Sequence, residues 1–196
     1  MRFRALLLAA LAGLLVSGCG TKDEPEPEPV ERKTETADKL PKLDRGWEEF
    51  VNAGAGVAFG RPPGWSAKEK GATTSLIAPD KLVSAGITID RTDEALTDDP
   101  KDFATQTMKL IPGFEKPLEP GTAKPFDHPY DGAIVEAKGV AKETGVPQRV
   151  TVVVLERKGV AVVTAAIYEN AERSAAGAES KQAQEVIRTL RTRPPN

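Results

Sequence analysis

The alternation of apolar and polar residues predicts several strands in the first half of the folded part. From Val83 to Ile89 every second residue is apolar, which is the period-two pattern of a strand with one buried face. The stretches 57–65 and 73–78 are shorter predicted strands that end at proline or glycine residues. Three preceding residues have the spacing of a short helix or a docking segment: Trp47, Phe50 and Val51.

Two helices are predicted from apolar residues that recur at helical spacing. Asp99 is suited to the N-cap and Pro100 to the first helical position, and Pro112 with Gly113 ends the pattern. The apolar side of this helix is predicted to contain Phe103, Thr107, Leu110 and Ile111. A second amphipathic helix ends before Pro194 and is expected to cover one sheet face through Ala183, Val186, Ile187 and Leu190.

Between the two helices the sequence has its strongest strand signal. The segments 133–141, 149–157 and 160–168 are joined by short glycine-bearing connections, which predicts consecutive antiparallel hairpins. The last two segments are apolar on both faces, so we expect them to be central strands with both faces covered. The segment 114–130 is predicted as a crossing loop that contains a short strand. The expected fold class is α+β, an antiparallel β-sheet flanked by helices.

The first twenty residues have the features of an export signal. Arg2 and Arg4 precede an apolar run from Ala5 to Val16, which is too short to span a bilayer as a helix. The segment Val16-Ser17-Gly18-Cys19 resembles the bacterial lipobox, an aliphatic residue followed by two small residues and cysteine. The resemblance implies cleavage between Gly18 and Cys19 and acylation of the Cys19 sulfur. The alternative is ordinary cleavage near Gly18, with Cys19 left as a free thiol.

These features predict three regions and a location outside the cytosol. Residues 1–18 are the predicted signal peptide, 19–45 a lipidated cysteine with a Glu/Pro-rich disordered tether, and 46–193 the folded domain. Two or more acyl chains hold a protein stably on a bilayer. We therefore expect an extracytoplasmic protein that is attached to the cell membrane or outer membrane by its lipid. The acidic tether is expected to be a solvated spacer, with a cation-binding or wall-binding tail as the alternative.

Composition restricts the partners and the chemistry. The 196 residues contain 27 basic and 29 acidic side chains, and removal of Arg2 and Arg4 leaves 25 against 29, a net charge of −4. A mildly acidic chain argues against nucleic acid or anionic lipid as its main partner. Cys19 is the only cysteine, so an intrachain disulfide is impossible and one domain must depend on its apolar core.

The element order and one short motif resemble those of the PsbP-like superfamily. The motif is Phe59-x-x-Pro62-Pro63-Gly64-Trp65, which follows a strand, and the similarity covers residues 47–192. Members of this superfamily include the extrinsic photosystem II subunit of plants, a nuclear Ran-binding factor and small bacterial lipoproteins of the LpqN type. The resemblance implies a binding or assembly protein that is not an enzyme and uses no cofactor. It supplies no catalytic residues.

His128 is the only histidine, and a Ser-His-Asp or Cys-His arrangement would need it as the catalytic base. It lies between Asp127 and Pro129, and Asp131 is close by. An envelope hydrolase that uses the His128 region is therefore the alternative function, although no Gly-x-Ser-x-Gly motif accompanies the histidine. Asp127, His128 and Asp131 could also bind a divalent metal. We instead expect an exposed histidine in a loop turn and no metal site.

A second group of acidic residues surrounds the start of the first helix: Asp90, Asp93, Glu94, Asp98, Asp99 and Asp102. It lacks the ligand spacing of a calcium loop, and we expect a solvated loop there. The sequence also contains no phosphate-binding or dinucleotide-binding glycine motif in a strand-to-helix context. No cofactor is predicted.

Two tryptophans complete the candidate sites. Trp47 and Trp65, with His128, are candidates for a surface that binds a ligand or partner. A tryptophan after a Pro-Pro-Gly turn more often packs against the sheet edge, so we expect Trp65 to lie in the core. The expected function is a non-catalytic binding or assembly module for an envelope protein, a lipid or a small molecule. A surface protein without a dedicated ligand is a further possibility.

Overall fold

The computed structural model describes residues 40–91, 96, 98–173 and 175–192, and these belong to one compact unit, Glu31–Asn196. The predicted signal peptide, Cys19 and most of the predicted tether lie outside the described residues, as do Asp93 and Glu94. The elements in chain order are β1 (Glu48–Asn52), β2 (Val57–Arg61), β3 (Ser66–Lys70), β4 (Thr73–Ile77), β5 (Val83–Asp90), α1 (Pro100–Leu110), β6 (Lys124–Pro125), β7 (Asp131–Val140), β8 (Pro147–Arg157), β9 (Ala161–Asn170), α2 (Ala176–Thr189) and β10 (Arg191–Thr192).

The strands form two antiparallel sheets, and the predicted α+β class is confirmed. The larger sheet has the order β3-β4-β5-β9-β8-β7-β6, and the smaller has the order β1-β2-β10. As predicted, β8 and β9 lie inside the larger sheet with both faces covered. Helix α1 packs on one face against β7 and β8, and α2 packs on the other face against β9 and β5. Helix α2 also contacts β2, and so it joins the two sheets.

Apolar side chains form a separate core on each face of the larger sheet. The core under α2 contains Phe59, Trp65, Leu76, Ile87 and Ile167, together with helix residues such as Ile187. The core under α1 contains Met108, Val135, Val150, Val152 and Val154. The alternation in β5 is confirmed, because Val83, Ala85, Ile87 and Ile89 are buried and the residues between them are not.

Helix α1 begins as the sequence predicts, but its buried side differs. The Asp99 side chain caps the helix by accepting a hydrogen bond from the Lys101 backbone N–H, at 2.8 Å, and Pro100 is the first helical residue. The fully buried residues are Ala104 and Met108, four positions apart. Leu110 is 81% exposed, because it lies about 200° around the helix from Met108. The predicted placement of Leu110 on the apolar side is therefore wrong.

Three short strands depart from the predicted order. Residues Glu48–Asn52 form β1 and not a helix, since they pair with β2 and place Phe50 over Phe59 at 5.1 Å between ring centroids. Strand β3 has no apolar alternation because it is an edge strand with exposed, charged residues. Strand β10 has only two residues. Within the described part of the chain, neither helix is long and apolar enough to cross a membrane.

Candidate functional site

Two of the three predicted surface residues, Trp47 and His128, line one open cleft of about 540 Å³. We refer to it as the Trp47 cleft. The segment before β1, the loop between β6 and β7, and the end of α2 with β10 form its walls. Its lining residues are Pro41, Lys42, Leu43, Asp44, Trp47, Asp127, His128, Pro129, Glu185, Arg188, Thr189 and Arg191. Residues 41–44 thus contribute to the cleft although the sequence places them in the tether.

Gly60 explains why the segment before β1 can lie close to β2. A Cβ atom at position 60 would be 2.6 Å from Leu43 Cδ2 and 3.0 Å from Trp47 Cε3, so both side chains occupy space that only glycine leaves open. The Gly60 backbone N–H donates to Thr189 Oγ1 at 2.8 Å. Thr189 Oγ1 in turn donates to the Val186 carbonyl oxygen at 2.8 Å. One glycine therefore brings Trp47 and the end of α2 together.

His128 is held by the backbone on both sides of its ring. The Tyr130 backbone N–H donates to Nδ1 at 3.0 Å, so Nδ1 carries no proton. Nε2 is then the protonated nitrogen of the neutral ring, and it donates to the Leu190 carbonyl oxygen at 3.0 Å. Arg191 Nη1 lies 3.1 Å from Nε2 and donates to the Leu190 and Arg188 carbonyl oxygens. Since Nε2 already carries a proton, the contact between Nε2 and Nη1 is not a hydrogen bond.

The environment of His128 favours this neutral form. Burial, together with the positive charge of Arg191, lowers the pKa of His128 to about 4. The histidine is therefore neutral at pH 7 and half-buried, and the predicted exposed histidine is wrong. The sequence could not show this, because the contacts come from residues 62 and 63 positions away at the end of the chain.

The aromatic residues next to His128 fix the same loop to the C-terminal strand. Tyr130 Oη accepts the Thr192 backbone N–H at 2.9 Å, and the Tyr130 ring meets the His128 ring edge-on at 4.6 Å between centroids. Arg157 Nη1 donates to the Thr192 carbonyl oxygen at 3.1 Å. The Arg188 guanidinium lies 5.3 Å from the centre of the Phe126 ring, in cation–π contact. These contacts give the cleft a rigid wall.

The geometry around His128 does not assemble a hydrolase site among the described residues. Both ring nitrogens already have backbone partners, and the nearest hydroxyl in the cleft lining, that of Thr189, donates its proton to Val186. A base with a pKa of about 4 is also a weak proton acceptor at neutral pH. The arrangement can position a loop and line a cleft, but it cannot activate a nucleophile in this form.

Trp65 lies in the core, away from the Trp47 cleft. It is 4% exposed, and its Nε1–H donates to Gln182 Oε1 on α2 at 3.2 Å. The expected packing of Trp65 in the core is therefore confirmed, and Trp65 does not belong to the candidate surface. The Pro62-Pro63-Gly64 turn, with Gly64 at φ +77°, directs the chain so that the indole packs beneath α2.

The described acidic residues do not gather into a metal site. Asp131 Oδ2 pairs with Lys158 Nζ at 3.2 Å, and both nitrogens of His128 are occupied, so Asp127, His128 and Asp131 do not converge. Across the described ranges, no group of three or more His, Cys, Asp or Glu side chains could hold a metal ion.

Sequence reasoning missed the cationic side of the Trp47 cleft. Arg188 and Arg191 lie at the end of α2 and in β10, and they reach the cleft only because β10 pairs with Ala58 and Val57 of β2. The sequence does show two basic residues near the end of the terminal helix. Basic residues at that position are explained equally well by their favourable interaction with the helix dipole, so they do not by themselves indicate a binding site. Lys42 is the third cation of the cleft.

Comparison with known proteins identifies the fold. No protein-family profile and no curated protein sequence matches the chain. The Ran-binding protein Mog1p of Saccharomyces cerevisiae matches 74% of this chain and 95% of its own, with 11% identity and a TM-score of 0.53. Cyanobacterial PsbP from Synechocystis matches 75% of this chain and 92% of its own, with 15% identity and a TM-score of 0.54.

These two matches confirm the predicted PsbP-like fold. LpqN of Mycobacterium tuberculosis, described as involved in cell envelope biogenesis, matches 76% of this chain and 91% of its own with 14% identity. Its TM-score of 0.45 is too low to establish a common fold. The LpqN type therefore stays a prediction.

Proposed function

We propose that this protein is a non-catalytic binding module of the cell envelope, anchored through acyl chains on Cys19, which holds its partner in the Trp47 cleft. The observation that carries the proposal is that Trp47 lines the same cleft as six charged side chains. Lys42, Arg188 and Arg191 face the same cleft as Asp44, Asp127 and Glu185. An aromatic side chain beside balanced charges suits a ligand or peptide that has both an apolar surface and polar groups.

Two independent features support the anchoring and the binding role. Val16-Ser17-Gly18-Cys19 follows a short apolar run and supplies the acceptor for a lipid that would keep the protein outside the cytosol. Mog1p, which has a similar fold, is named as a Ran-binding protein, so this fold can support recognition of another protein. Because the described part of the cleft contains no activated nucleophile, the envelope-hydrolase alternative has no observation in its favour.

The exposed large apolar residues are scattered, which argues against a flat apolar interface and favours the cleft as the binding site. Those among the described residues are Val51, Ile77 and Leu110, which lie on three different elements. Single exposed apolar residues are normal on a soluble domain. The cleft volume of about 540 Å³ lies within the usual range for small-molecule sites. An envelope protein segment, a lipid headgroup or a small molecule of that size can therefore enter it.

Photocross-linking in intact cells tests the proposal. A photoreactive residue in place of Lys42, which is exposed in the cleft, should give a reproducible adduct, and Trp47→Ala should remove it. The same photoreactive residue in place of Lys68 on β3 is the matched control, because Lys68 is exposed and does not line the cleft. Equal adducts from positions 42 and 68, or an adduct that Trp47→Ala leaves unchanged, would contradict the proposal.

A further inference from the structure

One wall of the Trp47 cleft depends on a single titratable side chain. Phe126 and Tyr130 are buried, and the three residues between them line the cleft. We refer to residues 127–129 as the His128 loop. Within the described part of the chain, His128 is the residue of this loop that hydrogen-bonds to the end of α2, through the Leu190 carbonyl oxygen. The position of this wall therefore depends on the state of one imidazole ring.

The contacts of His128 oppose a positively charged ring. Nδ1 accepts the Tyr130 backbone N–H at 3.0 Å, and a protonated Nδ1 has no lone pair with which to accept it. On the other side of the ring, Arg191 Nη1 lies 3.1 Å from Nε2. Arg191 is buried, and its Nη1 donates to two backbone carbonyl oxygens, so the guanidinium is fixed in place. Protonation would therefore set a backbone donor against one ring nitrogen and a fixed cation against the other.

The remaining charges around the ring do not compensate for this repulsion. The charged or titratable groups that face His128 or line the same cleft come from its own loop and its end, from α2, from β10 and from the segment before β1: Asp127, Tyr130, Glu185, Arg188, Arg191, Lys42 and Asp44. Asp127 favours the charged ring, but its effect is smaller than that of burial and than that of Arg191. Glu185 and Arg188 pair with each other.

Release of His128 would leave both ends of the loop attached. Tyr130 Oη accepts the Thr192 backbone N–H at 2.9 Å, and the Arg188 guanidinium lies over the Phe126 ring. Neither contact involves the imidazole, so neither is lost when the ring is protonated. The part of the wall that can move is then the His128 loop itself, which lines the Trp47 cleft.

We propose that the His128 loop is a pH-dependent gate of the Trp47 cleft, in which the neutral imidazole holds the wall closed and its protonation releases the loop and the bound partner. The inference rests on the binding role proposed for the cleft. Because His128 has a pKa of about 4, about half of the molecules have the released wall at pH 4. The apparent Kd at pH 4 should then be about twice that at pH 7, since only the closed form binds.

Amide hydrogen exchange of the full chain, with Cys19→Ser to prevent acylation, tests the release of the loop. The Tyr130 N–H should lose protection as pH falls from 7 to 4, when its exchange rate is compared with that of an unfolded chain at the same pH. The Thr192 N–H should keep its protection, because its acceptor is Tyr130 Oη. In His128→Gln neither amide should change, because glutamine does not titrate. Loss of protection at both amides together, or the same loss at Tyr130 in His128→Gln, would overturn the proposal.

A charge variant separates the titration of His128 from a purely structural role. Asp127 favours the charged ring, so Asp127→Asn should move the midpoint of the Tyr130 change to lower pH. Asp44→Asn is the matched control, because Asp44 lines the same cleft from the segment before β1 and is not among the charges that shift the pKa of His128. Equal midpoints in the wild type and Asp127→Asn would overturn the assignment of the change to His128.

The Lys42 photoadduct tests whether release of the loop also releases the partner. Cells are resuspended at pH 7 or pH 4 before illumination, and the adduct should decrease by up to about half at pH 4. In His128→Gln the yield should be equal at both pH values. A yield that decreases equally with and without His128, or that stays constant in the wild-type cleft, would overturn the proposed regulation. Absence of the adduct at pH 7 would contradict the binding role of the cleft, and the exchange experiment, which needs no ligand, would still decide whether the loop is released.

Discussion

His128 Nε2 donates to the Leu190 carbonyl oxygen at 3.0 Å, and so the loop before β7 is fixed to the end of α2. This bond closes one side of the Trp47 cleft. A second bond, in which Nδ1 accepts from the Tyr130 backbone N–H, requires the neutral imidazole. A residue that the sequence marks as a possible catalytic base thus has a positioning role. Because protonation of His128 would remove the hydrogen bond to Nδ1, the structure of this side of the cleft depends on pH.

The first prediction concerns stability at acidic pH. The pKa of His128 is about 4 in the folded protein and about 6.5 in the unfolded chain, so its stabilising contribution is complete above pH 6.5 and declines as pH falls towards 4. At pH 4 the loss in the free energy of unfolding should be about 3 kcal/mol. The control is His128→Gln, which keeps a donor for Leu190 but does not titrate. Urea unfolding should show that the free energies of unfolding of the wild type and of His128→Gln, plotted against pH, converge between pH 7 and pH 4. Parallel curves would show that His128 does not cause the effect.

The second prediction concerns Gly60. Gly60→Ala should displace Leu43 and Trp47 from β2, because the new Cβ would lie within 3.0 Å of both side chains. We expect a loss of about 1–3 kcal/mol in the free energy of unfolding and a red shift of Trp47 fluorescence in a Trp65→Phe background. Gly86→Ala is the matched strand control, since a Cβ there meets nothing within 4 Å. Equal effects of the two substitutions would argue against close packing at Gly60.

The third prediction separates the two tryptophans. Trp65→Ala should cost about 3–5 kcal/mol of stability, because it removes a buried indole and leaves a cavity beneath α2. Trp47→Ala should cost much less, since Trp47 is half-buried, but it should abolish the Lys42 photoadduct. Urea unfolding measures the difference in stability between the two variants. Similar destabilisation by both substitutions would mean that Trp47 is a core residue and not part of a binding surface.

The fourth prediction concerns Glu179 on α2 and Asp80 in the turn after β4. Burial and the hydrogen bond with Asp80 raise the pKa of Glu179 to about 7. A raised carboxyl pKa means that the stabilisation is complete below the unfolded value of 4.5 and is lost as pH rises through 7. Glu179→Gln should therefore raise Tm relative to the wild type at pH 8 and have little effect at pH 5. The same Tm difference at both pH values would contradict a titrating Glu179.

Much of the fold follows from local sequence rules. The alternation in β5, the Asp99-Pro100 start of α1 and the glycine-bearing hairpins of β7 to β9 each follow from a short-range rule that burial reinforces. Strand β1 was not predicted, because the spacing of Trp47, Phe50 and Val51 fits a short helix or a docking segment. Only the pairing with β2 makes the segment a strand. Strand β3 contains three consecutive charged residues, Lys68 to Lys70, and only one apolar residue, Ala67, so no apolar period marks it.

The candidate site was predictable only in part, because it is built by contacts between distant segments. Trp47 and His128 could be selected by residue type, but their meeting depends on the space at Gly60 and on the pairing of β10 with β2. The burial of His128 depends on Leu190 and Arg191, which local patterns do not connect to it. Residue chemistry thus identified two members of the cleft, Trp47 and His128, while the topology determined their role.

The proposed anchoring of this module at the cell envelope depends on Cys19, and metabolic labelling tests this proposal most directly. Cells that express the wild-type chain or Cys19→Ser are grown with radiolabelled palmitate, and the protein is then isolated from the membrane and soluble fractions. We expect label on the wild-type chain in the membrane fraction and none on Cys19→Ser. A wild-type chain that stays unlabelled, in cells where a known lipoprotein is labelled, would contradict the account.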